Sequence, residues 1–514
     1  MKHVLKFIVA AALLPLSSLH AADKPNVLFI AVDDLRPELG CYGKDYIKSP
    51  NIDRIANAGI VFNHAYCQQA VCSPTRSSLM TGTRPDTTKV WDLVTHFRDA
   101  LPNVVTLGQH FKQNGYFVQG MGKIYHGGYD DPATWSVPWQ TPKAIKYALP
   151  ENQKLDARQY EGEPDGDAKP TPKKKSKKSA TSVPDGPPST GFNSRGPAFE
   201  AADVPDNTFQ DGKVAELAIA TLQEMKKKKE PFFLAVGFIK PHLPFVSPKK
   251  YWDLYDPAKI ELAPNKFRAK DAPDYAVLPG GELRNYYGIP AESIPDDLAR
   301  QLKHGYYAGV SYTDAQVGKL LDELKRLGLD KNTIVILWGD HGWKLGEHDA
   351  WCKHSNVEND VNAPLLLSVP GMKNAGKHTD ALVEFVDIYP TLSELAGLPL
   401  PGHLEGTSFK PLLDDPKRAW KTAAFSQYPR SQNRGLMGYS MRTERYRFTV
   451  WVDRKDHSKV DAVELYDQQK DPQENQNIAK EPANAELVAK LMAQWKQGWQ
   501  GAKPPVANGL KASL

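Results

Sequence analysis

Residues 26–34 read NVLFIAVDD, an apolar run that ends in two aspartates. Three other segments have the same form, apolar at first and titratable at the end: YFVQGMGKIYH (116–126), PFFLAVGFIKPH (231–242) and TIVILWGDHG (333–342). Short continuous apolar runs are typical of strands that are buried on both faces of a mainly parallel sheet. The four segments therefore predict neighbouring strands of one large sheet.

Helical patterns separate these strands, as in VAELAIATLQEMKKKK (214–229) and YYAGVSYTDAQVGKLLDELKRLG (306–328), the latter ended by its glycine. Alternating strands and helices predict an α/β fold, in which the active site lies beyond the carboxyl ends of the strands. One crevice is therefore expected to receive the polar residues that end the four runs: Asp33 and Asp34, Lys123 and His126, Lys240 and His242, Asp340 and His341.

The adjacent aspartates Asp33 and Asp34 indicate a cation site, because two carboxylates after a buried strand repel each other unless something neutralises them. Carboxylate oxygens favour a hard ion such as Ca²⁺ or Mg²⁺, and Asp340 would add a third carboxylate. His341 is an unusual neighbour for calcium, since imidazole suits softer metals. The alternative for Asp33 and Asp34 alone is a helix cap or a pair of loop residues.

The four cysteines are Cys41, Cys67, Cys72 and Cys352, and no Cys-x-x-Cys pair occurs, so a structural zinc site is not supported. An exported protein could oxidise two of them, and spacing alone does not decide whether Cys67 and Cys72 pair.

Cys72 lies in QQAVCSPTRSSLMTG (68–82), where Pro74 suits the first turn of a helix. At a helix N-terminus the free N–H groups and the dipole favour a thiolate or another anion, and Arg76 follows one turn later. The alternative is a buried, inert cysteine.

The N-terminus, MKHVLKFIVAAALLPLSSLHAADKPN, predicts a signal peptide over residues 1–22, because two lysines precede a short apolar run and small residues follow it. That run is too short to span a bilayer, and the sequence offers no second candidate. We therefore expect export to the periplasm or the medium. The formal charge of +5 gives no indication of a nucleic-acid partner.

The domain organisation expected from the sequence is a large domain over residues 23–415 and a smaller one over 416–514. The large domain contains a low-complexity insert at about 160–190, with KKKSKK at 173–178. The insert is rich in Pro, Lys, Ser and Asp and has little to bury, which favours a solvated segment over a contact with an acidic polymer.

The Cys-x-Pro-x-Arg pattern of CSPTRSSLMTGTR, followed by Thr-Gly, resembles the signature of the type I sulfatases, in which that cysteine is converted to formylglycine. Thr75, Met80 and Thr83 depart from the commonest form of the signature. The resemblance extends through NVLFIAVDDLRPELGCYG, GKIYHGG, KPHLPF, WGDHGWKLGEHDAWCKHSN, VEFVDIYPTLSELAGL and ELYDQQKDPQENQNIA, in family order. Three details are most similar to the iduronate-2-sulfatase branch: the spacing in GKIYH, the histidine of GDHGW and the pattern QQAVC…RPDTT.

This resemblance implies a large mixed-sheet sandwich of alkaline-phosphatase/sulfatase type with a smaller C-terminal α+β domain. It also implies one Ca²⁺ ion, held by Asp33, Asp34, Asp340, His341 and the modified Cys72. A formylglycine-generating enzyme would be a partner during maturation, and a sulfated carbohydrate would be the substrate.

The family mechanism implies roles for the remaining residues. One hydroxyl of the hydrated aldehyde attacks sulfur, and loss of a proton from the second hydroxyl expels sulfate. Arg76 and Lys123 would hold the diol, and His126 would accept the second hydroxyl's proton. His242 and Lys353 would bind the sulfate and protonate the leaving oxygen. Trp343 and His348, in the same loop as His341, are candidates for contacting the sugar, with ordinary loop packing as the alternative.

The expected reaction is hydrolysis of a sugar sulfate ester, with a 2-O-sulfated uronic acid unit as the family-based expectation. Two alternatives are a formylglycine-dependent phosphonate or phosphate-ester hydrolase and a catalytically silent protein that binds sulfated glycans. An altered nucleophile, metal ligand or base would support the silent protein, and none of the matched positions is altered.

Overall fold

The structure is a computed structural model that describes residues 24–159, 195–228, 230–430 and 435–505. The expected signal peptide over 1–22 and the low-complexity insert at about 160–190 lie outside the described residues. Within these ranges, no helix is both long enough and apolar enough to cross a membrane.

A seven-stranded mixed sheet forms the centre of the large domain. Its strands in chain order are β1 (Asn26–Val32), β2 (Ile60–Phe62), β3 (Phe117–Gly122), β4 (Phe232–Phe238), β5 (Thr333–Gly339), β6 (Leu365–Ser368) and β7 (Lys377–Thr379). Across the sheet the order is β7-β2-β6-β5-β1-β4-β3. The four neighbours β5, β1, β4 and β3 run parallel, whereas β6 is antiparallel to both β5 and β2.

Alternate side chains of β1 show why the apolar runs are continuous. Leu28, Ile30 and Val32 enter the core on one face of the sheet, and Val27 and Phe29 enter the core on the other face. A strand with both faces covered has no solvent side on which polar residues could alternate. In β1, polar residues therefore occur only at the two ends, as Asn26 and as the aspartates that follow Val32.

Helices supply the two layers that cover this sheet. Those that pack on the Leu28 face are α1 (Pro50–Ala58), α4 (Gln210–Lys226) and α6 (Asp296–Arg326), and those on the Val27 face are α2 (Cys72–Thr81), α3 (Leu107–Gln113) and α7 (Ile388–Leu395). A short helix, α5 (Gly281–Arg284), lies in the long connection between β4 and β5. The helix expected to begin at residue 306 starts at Asp296, directly after Pro295, with acidic residues in its first turn.

A smaller sheet of four antiparallel strands follows: β8 (Ala424–Arg430), β9 (Leu436–Arg442), β10 (Tyr446–Asp453) and β11 (Val460–Asp467). Helix α8 (Ala485–Gly501) contributes Leu491 to the apolar cluster of this sheet. The predicted α/β class with a smaller C-terminal sheet domain is confirmed. The proposed boundary between residues 415 and 416 stays a prediction.

Candidate functional site

The carboxyl ends of β1, β4, β3 and β5 meet at one edge of the sheet and bring their terminal polar residues together. The backbone N–H of Asp33 donates to the carbonyl of Phe238 (3.1 Å), and that of Asp340 donates to the carbonyl of Val32 (3.1 Å). The N–H of Asp34 donates to the Asp340 carboxylate (3.0 Å). These bonds tie the end of β1 to both parallel neighbours.

Cys72 is the first residue of α2, after the extended Val71, and its sulfur faces this edge. The thiol donates to Asp33 Oδ1 (3.3 Å) and lies 3.4 Å from His341 Nε2 and 3.8 Å from Lys123 Nζ. His341 Nδ1 is 2.9 Å from the carbonyl of Gly342, which places the ring proton there and leaves the Nε2 lone pair toward the sulfur.

The ionisation expected for Cys72 from its helix position is wrong for the thiol itself. Burial, followed by the charge of Asp33, raises the pKa of Cys72 well above its usual range, and the charges of Lys123 and Lys353 oppose this effect only in part. The local field of a helix N-terminus is therefore outweighed by desolvation and a nearby carboxylate.

Arg76 is fully buried one turn beyond Cys72 and links two of the strand ends. Its guanidinium donates to Asp340 Oδ2 (3.0 Å) and Asp33 Oδ1 (3.1 Å), and also to the carbonyls of Lys123 and Ile124. Arg76 thus neutralises part of the negative charge of the aspartates and holds the end of β3 against α2.

Four side chains offer ligand atoms that all lie within 4.8 Å of one another: Asp33, Asp34, Cys72 and His341. Asp340 lies beside them, because its Oδ1 is 3.6 Å from His341 Nε2, although this oxygen also accepts the backbone N–H of His341 (3.1 Å).

The pKa values of the two adjacent aspartates are shifted in opposite directions. Burial opposes the ionisation of Asp33, but Lys123, His242 and Arg76 outweigh it and hold its pKa well below the usual range. Burial raises the pKa of Asp34 to about 8, an effect that Lys353 opposes and Asp33 reinforces.

A buried carboxylate that ionises poorly beside an ionised one marks a place where a cation would be stabilised. The carboxylate oxygens fit a hard ion such as Ca²⁺, and the imidazole of His341 is the donor that fits it least.

His126 and Lys123 follow β3. Lys123 forms an ion pair with Asp33, and half-buried His126 has a buried Nδ1 with no hydrogen-bond partner among the described residues. Burial, followed by the charge of Lys123, lowers the pKa of His126 to about 3. The imidazole is therefore neutral near pH 7 and able to accept a proton.

His242 and Lys353 both contact Asp34, and both also contact Glu282 of α5. His242 Nε2 is 3.1 Å from Glu282 Oε1, and Lys353 Nζ is 2.9 Å from Glu282 Oε2 and 3.0 Å from Asp34 Oδ1. Asp34, His242 and Glu282 also have the spacing of a metal site, but the Lys353 ammonium already bridges the two carboxylates there.

The sequence did not predict Glu282. It follows Gly280 and Gly281 in a long connection without an apolar run, so no strand end marked it.

Trp343 and His348, the two candidates for sugar contact, are placed differently. The ring of Trp343 is buried, with Lys353 Nζ 4.7 Å from its centre and the His242 ring 6.4 Å away, so it packs behind those two residues. His348 is buried without a hydrogen-bond partner for either ring nitrogen among the described residues. Neither position contradicts the prediction, and neither shows a sugar contact.

All four cysteines lie within the described residues and are free thiols. The pairing of Cys67 with Cys72, which the spacing left open, does not occur in this structure.

Two family profiles match the chain. One, described as Sulfatase, matches residues 25–398, and the other, described as N-sulphoglucosamine sulphohydrolase, C-terminal, matches residues 346–500. Iduronate 2-sulfatase of Mus musculus is 35% identical over an alignment that covers 92% of this chain and 94% of that protein.

Similar folds occur among solved structures. A protein described as a 2-O GAG sulfatase has a TM-score of 0.68 at 22% identity and covers 92% of each chain. The phosphonate monoester hydrolase of Agrobacterium radiobacter has a TM-score of 0.70 at 22% identity and covers 92% of this chain and 95% of its own. At this identity the similarity shows the fold alone, and it confirms the predicted architecture. Since the Sulfatase profile covers most of the chain and a 35%-identical relative spans nearly all of it, the chain belongs to the sulfatase family and is a sulfuric ester hydrolase.

Proposed function

We propose that this enzyme hydrolyses sulfate esters on a sugar by means of a formylglycine made from Cys72. The observation that carries the proposal is the position of the Cys72 sulfur, at the start of α2 and in contact with Asp33 and His341. The Cys72 sulfur stands where the oxygens of a hydrated aldehyde would be. Such a hydrate supplies one hydroxyl for attack on sulfur and a second whose deprotonation lets sulfate depart.

Asp33, Asp34, Asp340 and His341, together with residue 72, would hold one Ca²⁺ ion. When bound, the ion supplies positive charge that offsets the buried carboxylates and the sulfate. Arg76 contributes a positive charge that pairs with Asp33 Oδ1 and Asp340 Oδ2, and Lys123 pairs with Asp33 Oδ2. These two cations keep Asp33 ionised and orient it toward residue 72.

His126 and His242 are assigned to different halves of the reaction. His126 is neutral, and its Nδ1 has no hydrogen-bond partner in the part of the chain that the structure describes, which suits the acceptance of a proton when sulfate departs. His242 and Lys353 lie together beside Asp34, at 3.8 Å and 3.0 Å from its carboxylate, which suits binding of the sulfate and donation of a proton to the bridging oxygen. Trp343 packs against this pair. A sugar contact by His348 remains part of the proposal.

The substrate we propose is a 2-O-sulfated uronic acid or a related unit of a sulfated polysaccharide. Support comes from the mouse relative named iduronate 2-sulfatase and from the structural neighbour described as a 2-O GAG sulfatase. Export through residues 1–22, to the periplasm or the medium, and modification by a formylglycine-generating enzyme complete the proposal.

The test is release of inorganic sulfate from defined sulfated disaccharides, with Cys72→Ala as the inactive control. A second candidate function, phosphonate or phosphate-ester hydrolysis, is favoured by the fold shared with a phosphonate monoester hydrolase. Side-by-side assays on matched sulfate and phosphate esters separate the two. A higher kcat/KM on the phosphate ester would overturn the sulfatase assignment, and binding of the sulfated disaccharide without turnover would indicate a silent glycan-binding protein.

A further inference from the structure

The carboxylate of Glu282 connects two residues that are distant from it in sequence. Oε1 is 3.1 Å from His242 Nε2, and Oε2 is 2.9 Å from Lys353 Nζ and 3.6 Å from His354 Nε2. Only 5% of the residue is exposed. A buried carboxylate that pairs with an ammonium group and an imidazole and has little access to solvent is an unusual feature, because burial is costly unless each charge is matched.

Asp34 contacts the same two groups from the other side. Its Oδ1 is 3.0 Å from Lys353 Nζ, and its Oδ2 is 3.8 Å from His242 Nε2. Acidic and basic groups therefore alternate around a closed ring of four residues, Asp34, Lys353, Glu282 and His242. In such a ring each basic group is held from two directions.

The remaining contacts of the two basic groups leave them little freedom. His242 Nδ1 is 2.6 Å from the carbonyl of Leu243, so the imidazole is held at both nitrogens. The Lys353 ammonium lies 4.7 Å from the centre of the Trp343 ring. Without Glu282, the ring of His242 would lose its nearest partner at Nε2, and Lys353 would remain paired with Asp34 alone.

The backbone that carries Glu282 is fitted closely to the segment that carries Lys353. Gly280 has a φ of +85°, and a Cβ there would lie 2.1 Å from the carbonyl oxygen of Trp351. Only glycine allows both this conformation and this approach. The close packing places α5 beside the strand Trp351–Cys352, which directly precedes Lys353.

We propose that Glu282 is a positioning residue that holds His242 and Lys353 in the arrangement required for the sulfate ester. The role rests on the proposed function, in which these two residues bind the sulfate and protonate the leaving oxygen. Because a displacement of about 1 Å can cost on the order of 10²-fold in rate, loss of this fixed arrangement should reduce turnover more than binding.

The ionisation of Glu282 is consistent with this geometry. Burial opposes the charged form, but Lys353 and His242 outweigh it and hold the pKa of Glu282 well below the usual range. The carboxylate is therefore charged and can pair with both groups at neutral pH.

The test compares Glu282→Gln with Glu282→Asp on a sugar sulfate and on an aryl sulfate. Glutamine keeps the shape but has one acceptor oxygen, so it cannot accept from both His242 and Lys353. We expect kcat on the sugar sulfate to fall about 10- to 100-fold, and to fall less on the aryl sulfate, whose leaving group needs less help. Inhibition by inorganic sulfate should be unchanged or stronger, since a negative charge has been removed from beside the sulfate-binding groups. Glu282→Asp keeps the negative charge and should therefore lose less kcat on the sugar sulfate than Glu282→Gln.

Glu358→Gln is the matched control, because Glu358 is a carboxylate that pairs with two basic side chains, Arg442 and Arg447, within the described residues but away from the ring. It should keep the ratio of sugar-sulfate to aryl-sulfate kcat of the wild type. An unchanged kcat in Glu282→Gln, or equal losses on both substrates that match those of Glu358→Gln, would overturn the positioning role. A wild type that releases no sulfate from either ester would refute the proposed function itself.

Discussion

Replacement of Arg76 by methionine should lower the free energy of unfolding, because Arg76 neutralises the buried carboxylates of Asp33 and Asp340. The guanidinium lies between the buried carboxylates of Asp33 and Asp340, with the relevant N–O distances at 3.0–3.1 Å. Removing one partner of a buried ion pair costs about 3–5 kcal/mol, because the remaining charge is left uncompensated. We expect Arg76→Met to lose that amount of unfolding free energy in the presence of a chelator.

Calcium should restore more stability to Arg76→Met than it adds to the wild type. A ligand at a free concentration of 100 times its Kd stabilises the folded state by about 2.7 kcal/mol, and the gain grows as the affinity rises. Without Arg76, the carboxylates of Asp33 and Asp340 carry more uncompensated charge and should bind the cation more tightly.

The assay is urea unfolding followed by circular dichroism, with chelator and with Ca²⁺. The matched control is Arg447→Met, since Arg447 is also buried and pairs with Glu358 and Glu474 in another part of the described structure. It should lose a similar amount of stability and gain from calcium only what the wild type gains. Equal calcium gains in both variants would refute the reasoning that Asp33 and Asp340 face the cation.

Three further predictions concern catalysis and pH. Cys72→Ser should accumulate a sulfated serine, seen by mass spectrometry, because serine lacks the second hydroxyl that expels sulfate; sustained turnover would contradict this. His242→Ala should lose far more activity on a sugar sulfate than on an aryl sulfate, whereas His126→Ala should lose about 10²–10⁴-fold on both; equal losses in His242→Ala would remove its acid role. Burial, reinforced by Lys353 and opposed by Glu282, lowers the pKa of His354 from 6.5 to about 4. Between pH 6.5 and pH 4 the unfolded chain therefore binds a proton at His354 that the folded protein does not bind. His354 should therefore contribute a loss of about 3 kcal/mol of stability as the pH drops from 6.5 to 4, and His354→Gln should flatten the pH dependence by that amount in urea titrations; identical slopes would contradict it.

The part of the site at the strand ends could be predicted from the sequence for a definite physical reason. Strands such as β1 are buried on both faces, so their apolar runs stop only where the chain leaves the sheet. Parallel neighbours stop at the same edge, and this brings Asp33, His242 and Asp340 together.

Two features could not be predicted, because they depend on contacts between distant segments. Glu282 lies on a four-residue helix whose position depends on the approach of Gly280 to Trp351, and no local pattern encodes that approach. The helix position of Cys72 favours a thiolate, yet burial and the charge of Asp33, which its own helix does not encode, raise the pKa of the thiol.

The most direct test of the central claim is to measure the mass of the peptide that carries residue 72 together with sulfate release from a 2-O-sulfated uronic acid disaccharide. The enzyme should be made with and without a formylglycine-generating enzyme, so that the modified fraction varies between preparations. We predict that residue 72 carries the aldehyde and that the rate of sulfate release rises in proportion to the modified fraction. Equal rates from preparations that carry the unmodified Cys72 thiol would contradict the claim.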